Sequence, residues 1–230
     1  MPDQAPTLIR IEKLPPDRSR FSPFPEMEPD RADSVWKGKN MNYAEIKSTD
    51  IANGPGVRVS LFVSGCTHHC KGCFNPETWD FSYGQPFDEA VEERIFRDLD
   101  HPFIEGLSLL GGEPFEPENS RVLAGFVRKV KDHFPDKTIW CYSGYRLDEE
   151  ILTDRMGGGR YTEELLSCLD VLVDGEFVEE LKVLTLKFRG SSNQRLIDVP
   201  ASLKSGTIVQ WEDPAEKVYP GVGGRMKNMG

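Results

Sequence analysis

From Arg58 to Val63 polar and apolar residues alternate and then give way to Leu61-Phe62-Val63, the pattern of a strand that enters a buried sheet. Asp88 precedes Val91, Ile95, Phe96 and Leu99, apolar positions at helical spacing, so the stretch predicts a helix with Asp88 as its cap. Leu107-Ser108-Leu109-Leu110 predicts a short buried strand. Val122, Leu123, Phe126, Val127 and Val130 then form one stripe of a second helix, with Lys and Arg on its other side. Thr138 to Tyr142 predicts a strand. About Leu147 to Met156 predicts a helix broken by Gly157-Gly158-Gly159, and Glu163 to Cys168 a shorter one. Val171-Leu172-Val173 predicts another buried strand and Leu184 to Phe188 a last one.

This β-α-β-α-β-α-β order predicts an α/β fold with a mainly parallel sheet and right-handed crossovers. At roughly 150 residues the patterned part is shorter than the ~250 residues of a closed eightfold barrel, so a partial (βα) barrel or an open α/β sheet is expected. Both ends differ in character. Residues 1–40 hold seven of the seventeen prolines and no sustained period, which predicts a flexible Pro-rich N-terminal arm. The folded unit is expected over 41–200, and Met41 is itself a candidate start. Residues 201–230 read as a C-terminal tail, with Ile208-Val209-Gln210-Trp211 able to add an edge strand.

Composition narrows the class. The 230 residues suit one domain, 38% are hydrophobic, and no apolar run approaches the ~18 residues of a membrane span. The opening Met1-Pro2-Asp3-Gln4-Ala5-Pro6 lacks the pattern of a secretory signal, so a cytoplasmic protein is expected. A formal net charge of -10, with no basic stripe, argues against a broad nucleic-acid contact. Lys37-Gly38-Lys39 and Arg128-Lys129-Val130-Lys131 are short runs that read as solvated faces.

The candidate chemistry lies in Gly65-Cys66-Thr67-His68-His69-Cys70-Lys71-Gly72-Cys73-Phe74-Asn75, directly after the first strand. Three of five cysteines fall here at C-x3-C-x2-C spacing. Three thiolates on one tight loop can hold three corners of a cubane iron-sulfur cluster and leave one iron open. The same residues with His68 or His69 could instead close a zinc site, or remain redox thiols. The odd count argues against a disulfide framework. Cys141 and Cys168 stand in apolar contexts and read as core. Gly111-Gly112-Glu113-Pro114 follows the next strand; its glycines would admit a ligand close to the backbone and Glu113 could take up an amino group, while a plain strand-to-helix turn is the simpler reading.

Taken together, these motifs resemble the radical S-adenosylmethionine (SAM) enzymes. Asn53-Gly54-Pro55-Gly56, Leu61 to Cys66, Asn75-Pro76-Glu77-Thr78-Trp79, Asp174-Gly175-Glu176-Phe177 and Arg189-Gly190-Ser191-Ser192-Asn193-Gln194 narrow the resemblance to the activating enzymes of anaerobic (class III) ribonucleotide reductase. It spans about Met41 to Asp198. The resemblance implies a partial barrel of radical SAM type and a [4Fe-4S] cluster on Cys66, Cys70 and Cys73, with SAM chelated at the fourth iron. It implies SAM contacts at Gly72, Cys73, Phe74, Gly111, Gly112 and Glu113, and no catalytic side chain beyond the cluster and SAM. Many radical SAM enzymes place an aromatic before the third cysteine; here Gly72 stands there and Phe74 follows. Reductive cleavage of SAM would yield a 5′-deoxyadenosyl radical that takes a hydrogen atom from a glycine of the reductase. The implied partners are the glycyl-radical subunit and an electron donor such as a flavodoxin-type protein, with no nucleic acid and no membrane. An activase of another glycyl-radical enzyme, pyruvate formate-lyase-like, and a zinc-binding interaction module are the alternatives.

Overall fold

The computed structural model describes residues 41–213, so the expectations for 1–40 and for the last part of the tail lie outside the described residues. Seven strands form one open sheet: β1 (Asn42–Asp50), β2 (Val57–Val63), β3 (Gln85–Pro86), β4 (Ile104–Gly111), β5 (Thr138–Ser143), β6 (Val171–Asp174) and β7 (Arg195–Asp198). Their order is β3-β1-β2-β4-β5-β6-β7. The centre, β2 to β6, is parallel, and both flanks are antiparallel. Four helices complete the unit: α1 (Glu89–Leu99), α2 (Pro117–His133), α3 (Arg160–Ser167) and α4 (Val199–Ser205).

Alternation along the strands gives the sheet two unlike faces. Val59, Leu61, Leu107, Leu109, Ile139, Cys141 and Leu172 point to one side and pack with Ile95, Leu99, Leu123, Phe126, Val127 and Leu165 in the main core. The helical stripes predicted for α1 and α2 therefore face the sheet. Asp88 caps α1 by accepting from the Val91 amide at 3.0 Å. Cys141 and Cys168 are buried in this core.

The other face is partly polar. Ser60, Ser108 and Trp140 share one row across β2, β4 and β5. Arg58 lies below them, fully buried, donating to Ser108 Oγ, Thr138 Oγ1 and the carbonyls of Leu107 and Thr138 at 2.8–2.9 Å. Burial lowers its pKa to about 10, although the acidic groups nearby, Tyr142 and Asp170 foremost, favour its charged form. The Asn53-Gly54-Pro55-Gly56 turn folds over it: Gly54, at φ +126, leaves no room for a side chain above Arg58 and Trp140.

Two expected elements differ. The helix expected over about Leu147 to Met156 is a single π turn, Leu147–Ile151, because Asp174 takes the Leu147 amide and Asp148 turns to Arg195. Leu184 to Phe188 forms no strand. The place beside β6 belongs to β7, held there by the pairing of Arg195 with Asp174. Past 200 the chain continues through α4, then Gln210 bridges to Ile197 and Trp211 packs on Trp140 at 4.8 Å.

Candidate functional site

The cysteine loop leaves the C-terminal end of β2 and is fastened on three sides. The turn Pro76–Trp79 gives its carbonyls to the amides of Gly65 (2.8 Å) and Cys66 (3.3 Å). The Glu113 amide donates to Gly65 O at 2.8 Å. From the first turn of α2, Asn119 Nδ2 donates to the carbonyls of Ser64 (3.0 Å), Gly65 (3.3 Å) and Glu113 (2.9 Å). Glu116 Oε1 accepts from Thr67 N at 2.8 Å and Thr67 Oγ1 at 2.6 Å, hooking the residue after Cys66.

Glycines at the strand ends make this docking possible. A side chain at Gly112 would come within 2.5 Å of Gly65 O, and one at Gly144 within 2.6 Å of the His68 ring. Gly111, at φ +108, lies against the Phe62 backbone. The loop therefore lies on the ends of β4 and β5, where it would otherwise collide.

Cys66, Cys70 and Cys73 are free and half-buried, and they line one cavity of about 560 Å³. Phe62, Leu110, Gly111 to Glu113, Phe74 and Tyr142 share that wall. Burial pushes the Cys66 thiol up to about 12 and raises Cys70 as well, with Glu113 and Glu176 nearby adding to the effect. In such surroundings the thiolate form requires a cationic partner, as an iron cluster supplies. The Asn75 amide lies 3.4 Å from Cys73 Sγ as a donor to sulfur. Among the described residues no three His, Cys, Asp or Glu side chains converge as the ligands of one ion would. A cubane differs in spreading its thiolates over separate irons, so the donor set fits a cluster better than a zinc ion.

The two histidines are engaged elsewhere. His68 lies between Glu113 Oε2 (3.2 Å) and Glu176 Oε1 (2.9 Å), with its ring 4.3 Å from Tyr145. Burial opposes its charge, but the two carboxylates outweigh it and raise the pKa to about 9. His69, at φ 52, packs on Trp79 at 4.7 Å.

Glu113 faces the cavity, yet its carboxylate is already well used. Oε1 accepts from Phe115 N and Ser143 Oγ, both at 2.9 Å, and Oε2 accepts from Gly144 N at 2.7 Å beside His68. Gly72, at φ +73, makes the turn between Cys70 and Cys73, and a side chain there would meet Glu179 at 3.0 Å. Phe74 is 66% exposed and packs on Phe177 at 5.5 Å. Of the residues selected from the sequence, Cys73, Phe74, Gly111, Gly112 and Glu113 line this one cavity, while Gly72 is not part of its wall.

Comparison with known proteins places this geometry. The family described as a 4Fe-4S single cluster domain matches residues 52–197. Over 156 residues the chain is 46% identical to the anaerobic ribonucleoside-triphosphate reductase-activating protein of Haemophilus influenzae, covering 67% of this chain and 96% of that one. The protein of the same name from Escherichia coli K12 is 44% identical over the same span, with 67% and 96% covered, and that of Enterobacteria phage T4 is 39% identical, with 68% and 93% covered. The chain belongs to the anaerobic ribonucleoside-triphosphate reductase-activating protein family.

In this family member the motif just before β7 has a clear structural role. Gln194 Oε1 accepts from the amides of Gly190 and Ser191, while Nε2 donates to Gly175 O at 3.1 Å. Asn193 Nδ2 donates to Glu176 O at 2.8 Å. The Arg189–Gln194 loop is therefore stitched to the Asp174–Phe177 loop at the cavity. Sequence reasoning passed over Glu116 and Asn119, which stand close after Gly111-Gly112-Glu113-Pro114 and are buried. Polar residues at a helix start, three apart and beside a proposed ligand motif, are the signal that could have found them. Among the described residues no helix is long and apolar enough to cross a membrane.

Proposed function

We propose that this activating protein cleaves SAM reductively at a [4Fe-4S] cluster and generates the glycyl radical of an anaerobic ribonucleotide reductase. The observation that carries the reading is the set of three free cysteines on one loop, held against Gly111 to Glu113 across a single cavity. Cys66, Cys70 and Cys73 would hold the cluster. When bound, the cluster supplies one electron and SAM the radical chemistry that removes a hydrogen atom from a glycine.

What the chain does is position and enclose. Asn119 and Glu116 fix the loop, so the thiols do not drift apart when charge changes. The SAM contacts are assigned to Gly72, Cys73, Phe74, Gly111, Gly112 and Glu113. An ammonium group reaching Glu113 must share or take the acceptor that His68 Nε2 now faces. Phe62 and Leu110 give the wall an apolar surface that keeps water from a reactive intermediate.

The finer assignments belong to the same reading. The open sheet, whose parallel strands all end beside the cavity, is taken as a partial barrel of radical SAM type within a unit of residues 41–200. The electron is assigned to a flavodoxin-type donor, since the chemistry needs one electron at a time. A cytoplasmic location is part of the same proposal, because thiols that are to hold a cluster are kept reduced there.

The test is anaerobic: reconstituted protein, the host's reductase, SAM and a strong reductant, followed by electron paramagnetic resonance. A glycyl-radical signal on the reductase is expected. An intact cluster with competent SAM cleavage and no radical would reassign the protein to another glycyl-radical partner.

A further inference from the structure

Eight large hydrophobic side chains stand exposed among the described residues, and they are unevenly placed. Phe74, Leu181, Val183 and Leu184 lie on two loops that pack together at the cavity mouth, and Ile51, 76% exposed, adjoins the cavity-lining Ala52. Leu184 is 88% exposed. The two loops meet through the Phe74–Phe177 contact and through Gly190, where a side chain would come within 3.1 Å of Phe177 and 3.5 Å of Phe74. Apolar side chains gathered in this way mark an interaction site more often than chance exposure does.

The segment that carries them is held in place. Lys182 and Ser191 form a bridge at its base, Ser192 N donates to Leu181 O at 2.9 Å, and Val183 N donates to Gly190 O at 3.3 Å. Gln194 pins Gly190 and Ser191 from below. The apolar tip is therefore presented outward by a fixed base. Its charges are also distinctive. Lys71 is committed to Glu179 and Glu180 at 3.0 and 3.2 Å. Lys182 lies over the Phe74 ring at 5.0 Å and Arg189 donates to Gln194 O at 2.6 Å, and neither has a carboxylate partner among the described residues. On a chain of net charge -10 this mouth offers uncommitted positive charge.

We propose that the lip formed by Leu181, Val183, Leu184 and Phe74 is the docking surface for the glycine-bearing segment of the reductase. This rests on the function proposed above. The segment it fits is extended and thin, because the 560 Å³ cavity must also hold SAM and leaves no room for a folded element. Glycine suits the innermost position, where a bare backbone can approach closely. Apolar side chains beside that glycine lie on Leu184 and Phe74, and carbonyl or carboxylate oxygens meet Lys182 and Arg189. Continuity between the apolar lip and the cavity singles out this partner, since the group to be oxidised must pass the lip to reach the cluster.

The decisive variant is Leu184→Asp in the full-length, cluster-loaded protein, with Leu184→Ala beside it. Leu184 is outside the cavity wall and packs little, so folding, iron content and reductase-free SAM cleavage should match wild type. Affinity for the reductase, measured by anaerobic titration, should fall tenfold or more for Asp and less for Ala. Glycyl-radical yield should fall at low reductase concentration and recover at saturation. Unchanged reductase affinity in Leu184→Asp overturns the proposal. So does a change confined to self-association in gel filtration, which would give the lip to a second copy of this chain, or wild-type affinity restored by removing residues 1–40, which would give it to that segment. Wild-type protein that binds reductase and cleaves SAM, yet yields no glycyl radical, overturns the activation reading and leaves the docking result to stand by itself.

Discussion

Arg195 Nε donates to Asp174 Oδ1 at 2.8 Å, joining the last antiparallel strand to the end of β6. The same guanidinium reaches Asp148 Oδ1 at 2.7 Å, so one cation ties the π turn, β6 and β7 together. Gly175 and Glu176 follow Asp174 directly and reach the cavity from there.

Arg195→Met should destabilise the protein by about 3–5 kcal/mol, because Asp174 is fully buried and loses the one cation that pairs with it among the described residues. Anaerobic urea unfolding reads this. A loss below about 1 kcal/mol would show that water reaches Asp174 when the arginine is gone.

The same network gives an acid limit. Burial opposes ionisation of Asp148, but hydrogen bonding to Arg195 and its charge outweigh this and hold the carboxyl below its usual range. A lowered folded pKa gives stability that is present above the unfolded pKa, near 4, and is lost as pH falls through the folded value. Thermal unfolding between about pH 5 and pH 2 should show this decline. Asp148→Asn should be less stable at pH 7 and show a flatter decline; an unchanged slope would remove Asp148 from the account.

Cys66→Ala, Cys70→Ala and Cys73→Ala should each lower iron content and abolish SAM cleavage. Cys168→Ala should retain both. Retained SAM cleavage in any of the first three variants would refute the ligand assignment.

Glu116→Ala removes the acceptor that holds Thr67, while leaving all three cysteines in place. Cluster retention against an iron chelator should weaken about 10- to 100-fold, as happens when partners behind a metal ligand are lost. Glu116→Gln keeps one acceptor oxygen and should recover part of the loss. Equal retention in all three proteins would mean that Asn119 and the Pro76–Trp79 turn suffice.

Much of the parallel centre was legible because its strands bury one face continuously and its helices carry regular stripes. Asp88 and the Val122 to Val130 stripe are plain examples. The flanks were not. β1 reads as mostly polar because few of its residues are fully buried, and β7 is four residues whose first, Arg195, is chosen for two carboxylates. Leu184 to Phe188 looked like a strand because apolar residues usually mean burial, whereas Leu184 points outward. At the site the cysteines and Gly111 to Glu113 were legible as motifs. Asn119 was not, since an asparagine near a helix start ordinarily faces water, and only the folded chain shows three carbonyls around it.

That asparagine is also shielded from deamidation, because the Ser120 amide nitrogen that would have to attack its side chain is held in α2, donating to Glu116 O at 2.8 Å. Its two amide hydrogens are shared among three carbonyl oxygens that belong to both loops of the site. Deamidation to aspartate would exchange one nitrogen for oxygen and leave a buried anion facing those same carbonyls. A change of about one mass unit there would turn attraction into repulsion at the junction of the two loops, so the helix turn that shields this side chain also guards the cysteine loop.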